Sequence, residues 1–219
     1  MLVKRQRRRE THIAKSGPGR RGRLRPQPRT SDRGLTIVYY GDGKGKTTAA
    51  LGAVLRAVGQ GWRCVVVQFI KGSWPSSERV AIPRYLRDHV TIEAGGKGFV
   101  GILDDRLPRS EHKKQARVLF REVRQRFTLW ARAAKRPELT PRPPQLVVLD
   151  EILDAVEFGF LTQAEVVQLI KAKPVSLHLV LTGHKKFPRI LAAADLVTRM
   201  VKERHPYDQG FLAVRGLDY

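Results

Sequence analysis

Short apolar runs alternate along the chain with longer segments in which apolar residues recur every three or four positions. Apolar runs of strand length lie at residues 35–40, 63–70, 90–93, 146–150, 177–183, 197–203 and 211–214. Helical periodicity is found at residues 49–58, 79–87, 110–136, 162–171 and 187–197, with Ser110 as the predicted N-cap of the third helix. Strands that alternate with helices predict an α/β fold with a doubly wound, mostly parallel sheet.

A glycine-rich turn joins the first predicted strand to the first helix. It reads Gly41-Asp42-Gly43-Lys44-Gly45-Lys46-Thr47-Thr48. A phosphate-binding loop consists of a strand, a glycine-rich turn that ends in Gly-Lys-Thr, and a helix. In such a loop, backbone N–H groups and the helix N-terminus face the anion. Lys46 is predicted to neutralise phosphate oxygens, and the Thr47 hydroxyl is predicted to bind Mg²⁺. The sheet is therefore predicted to be of the P-loop NTPase type and to bind the phosphate chain of a nucleotide.

The loop is one residue shorter than usual. The common spacing places a glycine five residues before the Gly of Gly-Lys-Thr, but Tyr40 stands there and the leading glycine is Gly41.

Two carboxylates follow the apolar run at residues 146–149. Because the carboxyl ends of parallel strands meet at one edge of a sheet, Asp150 is predicted to point at the Mg²⁺ beside Thr47. Apolar strands often end in aspartate, so the prediction depends on the phosphate-binding loop. Residues 68–72 are predicted to face the same crevice.

The net charge of +22 is not evenly spread along the chain. Residues 1–33 hold 12 Lys or Arg, 2 acidic residues and almost no apolar content. This composition predicts a disordered basic extension that precedes a domain at residues 34–219. A tether to nucleic acid or to an anionic surface and a solvated extension are both open readings.

Other classes of protein find little support in the sequence. No apolar run approaches the roughly 20 residues of a membrane-spanning helix, so we expect a soluble protein. The single cysteine, Cys64, lies in an apolar run and is predicted to be a buried core thiol, which fits a reducing cytoplasm. The six histidines show no paired metal-ligand spacing, although the loop residues His184 and His205 could touch a ligand and His178 is predicted to be structural. No Ser–His or Cys–His arrangement supports covalent catalysis.

Several segments together resemble the P-loop type ATP:corrinoid adenosyltransferases, also called cob(I)yrinic acid a,c-diamide adenosyltransferases. They lie at residues 41–52, 67–72, 96–99, 148–152, 179–183, 194–198, 205–210 and 216–219. They follow the family's order, and the shortened loop is the family's own form.

The resemblance implies a specific reaction. A corrinoid cobalt reduced to Co(I) attacks the 5′ carbon of ATP, the adenosyl group moves to cobalt, and triphosphate leaves. Because Co(I) is itself a strong nucleophile, no general base is needed. ATP is expected to lie reversed in the loop, with Mg²⁺ bound. A cytoplasmic homodimer and a reductase that supplies electrons to the cobalt are also expected.

The resemblance also implies roles for individual residues. Lys46, Thr47 and Glu151 would be catalytic, and Thr47, Asp150 and Glu151 would bind the metal. The nucleotide and the corrinoid would be bound by Gly41, Asp42, Gly43, Lys44, Gly45, Lys46, Thr47, Thr48, Arg56 and Phe99, of which Phe99 would lie over the corrinoid.

Three positions depart from the family's pattern. Gly101 stands where many members carry tryptophan, which weakens the prediction of how the corrinoid is positioned. His184 stands where arginine commonly follows Thr-Gly, and Ser77 stands where glycine is usual.

Two alternative functions remain open at this point. One is a P-loop ATPase that acts on nucleic acid and uses Glu151 to orient water. The other is a non-catalytic carrier of corrinoid or ATP. The phosphate product distinguishes these alternatives from adenosyl transfer.

Overall fold

A parallel six-stranded sheet forms the centre of the fold. The computed structural model describes residues 33–72, 76–95, 107–135, 143–211 and 213–217. The strands are β1 (Thr36–Tyr40), β2 (Cys64–Gln68), β3 (Val90–Ala94), β4 (Leu146–Asp150), β5 (His178–Gly183) and β6 (Leu196–Arg199). Their spatial order is β3-β2-β4-β5-β1-β6, and every pairing is parallel. The predicted fold class is confirmed.

Helices cover both faces of this sheet. They are α1 (Lys46–Gly59), α2 (Ser77–Tyr85), α3 (Arg109–Ala133), α4 (Ile152–Glu157), α5 (Gln163–Ala172) and α6 (Pro188–Leu191), and a 3₁₀ turn spans Pro206–Gln209. Buried side chains of α1 and α2 pack on one face, and those of α3 to α6 pack on the other. The doubly wound arrangement predicted from the alternation of elements is thus the one observed.

The face of the sheet beneath α1 changes from apolar to polar at the carboxyl ends of the strands. Side chains alternate between the two faces of a strand, so Val66, Val148 and Val180 pack towards α1. Two residues further along each of these strands, the side chain on the same face is polar and almost fully buried. These residues are Gln68, Asp150 and Thr182. Three buried polar groups beside a glycine-rich loop mark this edge as the functional one.

The predicted helix at residues 187–197 is wrong over most of its length. The helix ends at Leu191, and residues 196–199 form β6 instead. Pairing with β1 overrides the helical periodicity, because Asp195 makes two hydrogen bonds to the backbone of Thr36. The Asp195 N–H donates to the Thr36 carbonyl, and the Asp195 carboxylate accepts from the Thr36 N–H at 2.8 Å. The edge strand thus begins at residue 196, inside the segment predicted as helix, and continues into the segment predicted as strand.

Several element boundaries also differ from prediction. The third helix begins at Arg109 after Pro108, so Ser110 is not its N-cap. The strand predicted at 197–203 ends at Arg199, and the described residues 211, 213 and 214 are not in a strand. Helix α4 was not predicted. A capping box starts α5, with reciprocal bonds between Thr162 and Glu165.

The described residues belong to a unit that spans residues 31–219. The predicted basic extension lies almost wholly outside the described residues, so the boundary near residue 33 stays a prediction. Cys64 is buried, as predicted, and burial raises its pKa to about 11. Within the described part of the chain, no helix combines the length and apolar character needed to cross a bilayer.

Replacing Gly183 by alanine is expected to destabilise the fold. A Cβ at this position would lie 2.4 Å from the Leu153 Cβ, so α4 would have to move away from β5. Forced overpacking of this kind costs about 1–3 kcal/mol. Gly52→Ala is the matched control, because a Cβ there meets nothing within 4 Å and alanine favours the helix interior by up to about 1 kcal/mol. Urea unfolding measures both variants, and a Gly183→Ala protein as stable as wild type would contradict the packing described.

Candidate nucleotide-binding site

The carboxyl ends of the central strands surround a cavity of about 480 Å³. Strand register creates this arrangement, since Gln68 lies beside Asp150 and Tyr40 lies beside Gly183. The cavity is lined by loop residues 42–48 and by Leu51, Lys71, Ser77, Glu78, Glu151, His184, His205, Gly216 and Leu217. The predicted crevice is therefore present where the parallel sheet places it.

Tight packing against the chain after β6 explains the glycines of the loop. A Cβ on Gly41, whose φ is 123°, would lie 2.1 Å from the Met200 carbonyl oxygen. A Cβ on Gly43 would lie 2.7 Å from the Val201 carbonyl group, and the Gly43 N–H donates to the Met200 carbonyl at 2.9 Å. Backbone contacts thus hold the loop and leave no room for a side chain at Gly41 or Gly43.

The N-terminus of α1 opens into the cavity. Gly45 is its N-cap, with φ at 108°, and it has no side chain to cap the first helical N–H groups. Uncapped N–H groups at a helix N-terminus bind anions. This end of α1 is built to receive phosphate oxygens.

Lys46 spans the loop from the first turn of α1. Its Nζ donates to the carbonyl oxygens of Gly41 at 2.8 Å and Gly43 at 2.9 Å. Burial lowers the pKa of Lys46, although nearby carboxylates, led by Asp154 and then Glu151, oppose the shift. The ammonium group therefore lies inside the loop, within reach of a phosphate chain bound there.

Thr47 and Asp150 are in direct contact. The Thr47 hydroxyl donates to Asp150 Oδ1 at 2.9 Å, and the Thr182 hydroxyl donates to the same oxygen at 2.8 Å. The Thr182 hydroxyl also accepts from the Glu151 N–H at 2.8 Å. Asp150 is 0% exposed, so three elements fix the position of one buried carboxylate.

A polar network that was not predicted surrounds the other oxygen of Asp150. Gln68 Nε2 lies 3.3 Å and Lys71 Nζ lies 3.5 Å from Asp150 Oδ2. Glu78 accepts from both of these donors at 3.1 Å, and Arg79 donates to Gln68 Oε1 at 3.0 Å. Residues 68–72 were expected at this crevice, but nothing in the sequence indicated that Glu78 and Arg79 of α2 would join them.

Charge pairing governs Lys71 and Glu78. Burial opposes the charge on Lys71, but attraction by Asp150, Glu151 and Glu78 outweighs it and raises the pKa of Lys71. Burial likewise opposes ionisation of Glu78, but Lys71 and hydrogen bonds lower its pKa overall. The two side chains form a charged pair at the wall of the cavity.

Glu151 has an unusual conformation. Its φ is 61°, which makes it the one non-glycine residue with positive φ among those described. Burial and then the charge of Asp150 raise the pKa of Glu151 to about 8, and Oε2 is buried with no hydrogen-bond partner among the described residues. Such a backbone conformation is costly and occurs often at functional sites.

The oxygen donors at this edge fit a magnesium ion. Mg²⁺ prefers hard oxygen ligands and is usually held by one or two carboxylates together with phosphates and water. The Thr47 hydroxyl, the Asp150 carboxylate and the unpartnered oxygen of Glu151 are ligands of this kind. No group of three or more His, Cys, Asp or Glu side chains suited to a metal occurs in the described part of the chain.

His184 connects the cavity to a buried carboxylate on α4. Its backbone N–H lies 2.8 Å and its Nδ1 lies 3.0 Å from Asp154 Oδ1. The hydrogen bond to Asp154 raises the pKa of His184, against the effect of burial. Asp154 was not predicted, because it lies on the short helix that the sequence pattern did not reveal.

The other histidines singled out in the sequence agree with their predicted placement. His205 lines the cavity. His178 is structural, since its Nδ1 accepts from the Leu35 N–H at 3.2 Å and its ring stacks on Trp62 with centroids 5.1 Å apart.

The remaining predicted site residues lie elsewhere. Arg56 lines a separate groove beside α1 together with Tyr39 and Trp62, so the structure does not bring it to the loop cavity. Phe99 and Gly101 lie outside the described residues. Ser77 begins α2 and lines the cavity.

The loop, the helix behind it and the contact between Thr47 and Asp150 define a P-loop nucleotide-binding protein. Residues 32–219 match the sequence profile of the ATP:corrinoid adenosyltransferase BtuR/CobO/CobP family, and the chain belongs to that family.

Curated relatives agree with this assignment. A corrinoid adenosyltransferase from Escherichia coli K12 is 36% identical over 86% of this chain and 87% of its own. A corrinoid adenosyltransferase from Sinorhizobium sp is 34% identical over 87% of this chain and 83% of its own. Corrinoid adenosyltransferase CobA from Salmonella typhimurium is 33% identical over 86% of this chain and 87% of its own. Among solved structures, EssC (ATPases 2 and 3) from Geobacillus thermodenitrificans aligns at 13% identity and a TM-score of 0.39 over 85% of this chain and 36% of that chain, which is too low to support an argument.

Proposed function

We propose that the protein transfers the 5′-deoxyadenosyl group of ATP to the Co(I) centre of a corrinoid, either cobalamin or cob(I)yrinic acid a,c-diamide, and releases triphosphate. The observation that carries this proposal is the contact between Thr47 and Asp150 beside a short glycine-rich loop, in a chain whose residues 32–219 match the family. The Co(I) electron pair forms the bond to C5′, and the bond from C5′ to oxygen breaks with its electrons passing to triphosphate.

The loop supports departure of the triphosphate. Negative charge grows on the phosphate oxygens as the bond to C5′ breaks. Uncapped N–H groups at the start of α1 and the Lys46 ammonium already face this region, so they stabilise that charge with little rearrangement. Residues 41–48 bind ATP in this proposal, with the nucleotide reversed so that C5′ is presented to the corrinoid.

Mg²⁺ is proposed to bind at Thr47, Asp150 and Glu151. When bound, it would neutralise part of the phosphate charge. Thr182 and Gln68 hold the Asp150 carboxylate in place, and Lys71 balances the charge of Asp150 and Glu78. Lys46, Thr47 and Glu151 form the catalytic group, and no residue is required to remove a proton from the nucleophile.

Further partners belong to the proposal as well. Phe99 would lie over the corrinoid, as the resemblance implies, whereas Arg56 lines a separate groove and is not part of the proposed nucleotide site. A cytoplasmic homodimer and a reductase that keeps the cobalt as Co(I) complete the system. Nucleic acid would be bound only through residues 1–33, whose charge is the feature that suggests it.

The phosphate product tests the reaction class. The protein is mixed under anaerobic conditions with chemically reduced cob(I)alamin, ATP and Mg²⁺, and the products are identified by ³¹P NMR. Triphosphate is expected. Orthophosphate or diphosphate with an unchanged corrinoid spectrum would indicate an ATPase, and bound but unreacted ATP would indicate a carrier.

Removing residues 2–32 is expected to leave turnover nearly intact. The deletion keeps Arg33, which pairs with Asp195 at the start of the sheet. The kcat is expected to stay within about twofold of wild type, while the KM for ATP rises at low salt because the basic segment no longer attracts a polyanion. Steady-state kinetics at low and high salt measure this. A loss of kcat at both salt concentrations would show that the segment acts directly at the site.

A further inference from the structure

One face of the His184 side chain is anchored and the other is accessible. Asp154, which accepts from the backbone N–H of His184 and lies 3.0 Å from its Nδ1, has a side chain only 6% exposed. The side chain of His184 is 57% exposed and lines the cavity together with loop residues 42–48. The imidazole ring is thus held by one nitrogen at the wall of the phosphate-binding cavity.

The carboxylate determines which nitrogen carries the proton in the neutral ring. A carboxylate only accepts hydrogen bonds, so Nδ1 must be the donor to Asp154. In the neutral ring Nε2 then offers a lone pair, which repels phosphate oxygens. Protonation converts Nε2 into a charged donor, which binds them.

We infer that His184 contacts the triphosphate group of the bound nucleotide through Nε2 and makes its binding depend on pH. The inference rests on the proposed function, because the ligand is the triphosphate of ATP. His184 is thereby a phosphate-binding residue in addition to Lys46, and Asp154 is a positioning residue that acts through it. Binding of the anion stabilises the imidazolium, so affinity is high at low pH and falls as His184 loses its proton.

Groups of both signs surround the ring. Asp154 and Glu151 favour the charged form and Lys46 opposes it, and the hydrogen bond to Asp154 is the largest influence. The charged or titratable groups on the neighbouring elements and around the cavity are Asp42, Lys44, Lys46, Lys71, Glu78, Glu151, Asp154, Glu157, Lys185 and His205. Among these, His205 is the other histidine, so the test must separate the two.

Calorimetric titration with inorganic tripolyphosphate at saturating Mg²⁺, between about pH 5.5 and 8.5, tests the inference. The proteins compared are wild type, His184→Arg, His184→Gln, His205→Gln and, as a matched control, His89→Gln. His89 precedes β3 at the opposite edge of the sheet. Tripolyphosphate itself titrates in this range. Because the charge of the arginine in His184→Arg is constant, the pH dependence of binding in that variant reports the titration of the ligand alone.

As the pH rises across this range, wild type is expected to lose about tenfold more affinity for tripolyphosphate than His184→Arg does. A tenfold loss corresponds to one charge-assisted hydrogen bond. His89→Gln should follow wild type, His205→Gln should keep the wild-type dependence on pH whatever its affinity, and His184→Gln should bind weakly throughout. Parallel curves for wild type and His184→Arg would overturn the inference, as would loss of the pH dependence in His205→Gln. Failure of wild type to bind tripolyphosphate or ATP at every pH would overturn the proposed function as well.

Proton NMR of wild type supplies a test that does not depend on folding of His184→Arg. The imidazole signal of His184, assigned by its absence in His184→Gln, is expected to titrate above the ordinary value of about 6.5 and to shift upwards in pKa when tripolyphosphate is added. Asp154→Asn should lower that pKa. An unchanged pKa on addition of tripolyphosphate would overturn the inference.

Discussion

Replacing Lys46 by alanine is expected to reduce kcat/KM for ATP by on the order of 10²–10³-fold, the usual effect of removing a preorganised charged donor. The Lys46 ammonium lies within the glycine loop, bonded to the carbonyl oxygens of Gly41 and Gly43. Alanine removes both the positive charge and the donor that ties the two sides of the loop together. Binding of ATP, measured by calorimetry, and turnover, measured from the corrinoid spectrum, should both fall.

Lys113→Ala is the matched control for loss of one positive charge. Lys113 is exposed on α3, on the opposite face of the sheet from α1, so its removal changes the net charge equally without touching the loop. Turnover of this variant should equal that of wild type. Equal activities of Lys46→Ala and Lys113→Ala would refute the role assigned to the loop lysine.

Replacing Asp150 by asparagine is expected to lower turnover by at least about 100-fold and to weaken its dependence on Mg²⁺. Mutation of a residue that only hydrogen-bonds to a metal ligand lowers metal affinity or activity by about 10–100-fold, so loss of a direct ligand should lower activity further. Asparagine keeps the shape of the side chain and an oxygen that accepts from Thr47 and Thr182, so the fold should survive. The charge that would hold the cation is lost, and Lys71 loses one of its two contacting carboxylates.

Titration of activity with Mg²⁺ measures this effect. Asp88→Asn provides the control, because Asp88 is an exposed residue before β3 at the opposite edge of the sheet. That variant should keep the wild-type dependence on Mg²⁺. If Asp150→Asn also kept it, Asp150 would not be a metal ligand.

The sequence was sufficient to predict the parts of the site that depend on local pattern. The Gly-Lys-Thr turn after an apolar run identified the loop, and the carboxylate at the end of another apolar run identified Asp150. The meeting of Thr47 with Asp150 followed from one general property of parallel sheets, which is that strand ends meet at a common edge. The structure places the two side chains 2.9 Å apart, and their binding of Mg²⁺ stays a prediction.

The residues that support the site depend on contacts that local pattern does not contain. Gln68 meets Asp150 because β2 and β4 pair in one register, and Glu78 joins them only through the placement of α2. Asp154 lies on a helix of six residues, too short to show a helical period. Its distance from Asp150 was no signal either, because Asp150 ends a strand and the helix begins only at Ile152.

The error at α6 has the same origin. An alanine-rich segment with helical periodicity ends where Asp195 binds the backbone of β1, and the chain then pairs as an edge strand. The strand leads to Met200, whose carbonyl oxygen binds the loop at Gly43. The chain that follows this edge strand thus supports the glycine-rich turn, and it lies in the segment predicted as strand at residues 197–203.

Transfer of the 5′ carbon itself is the most direct test of the account. ATP labelled with ¹³C at C5′ is incubated under anaerobic conditions with cob(I)alamin, Mg²⁺ and the protein, and the corrinoid is isolated in the dark. We expect the label to be bonded to cobalt in a light-sensitive corrinoid, and Lys46→Ala to yield almost no labelled corrinoid. Recovery of the label only in ATP or its hydrolysis products, from a protein that binds both substrates, would contradict it.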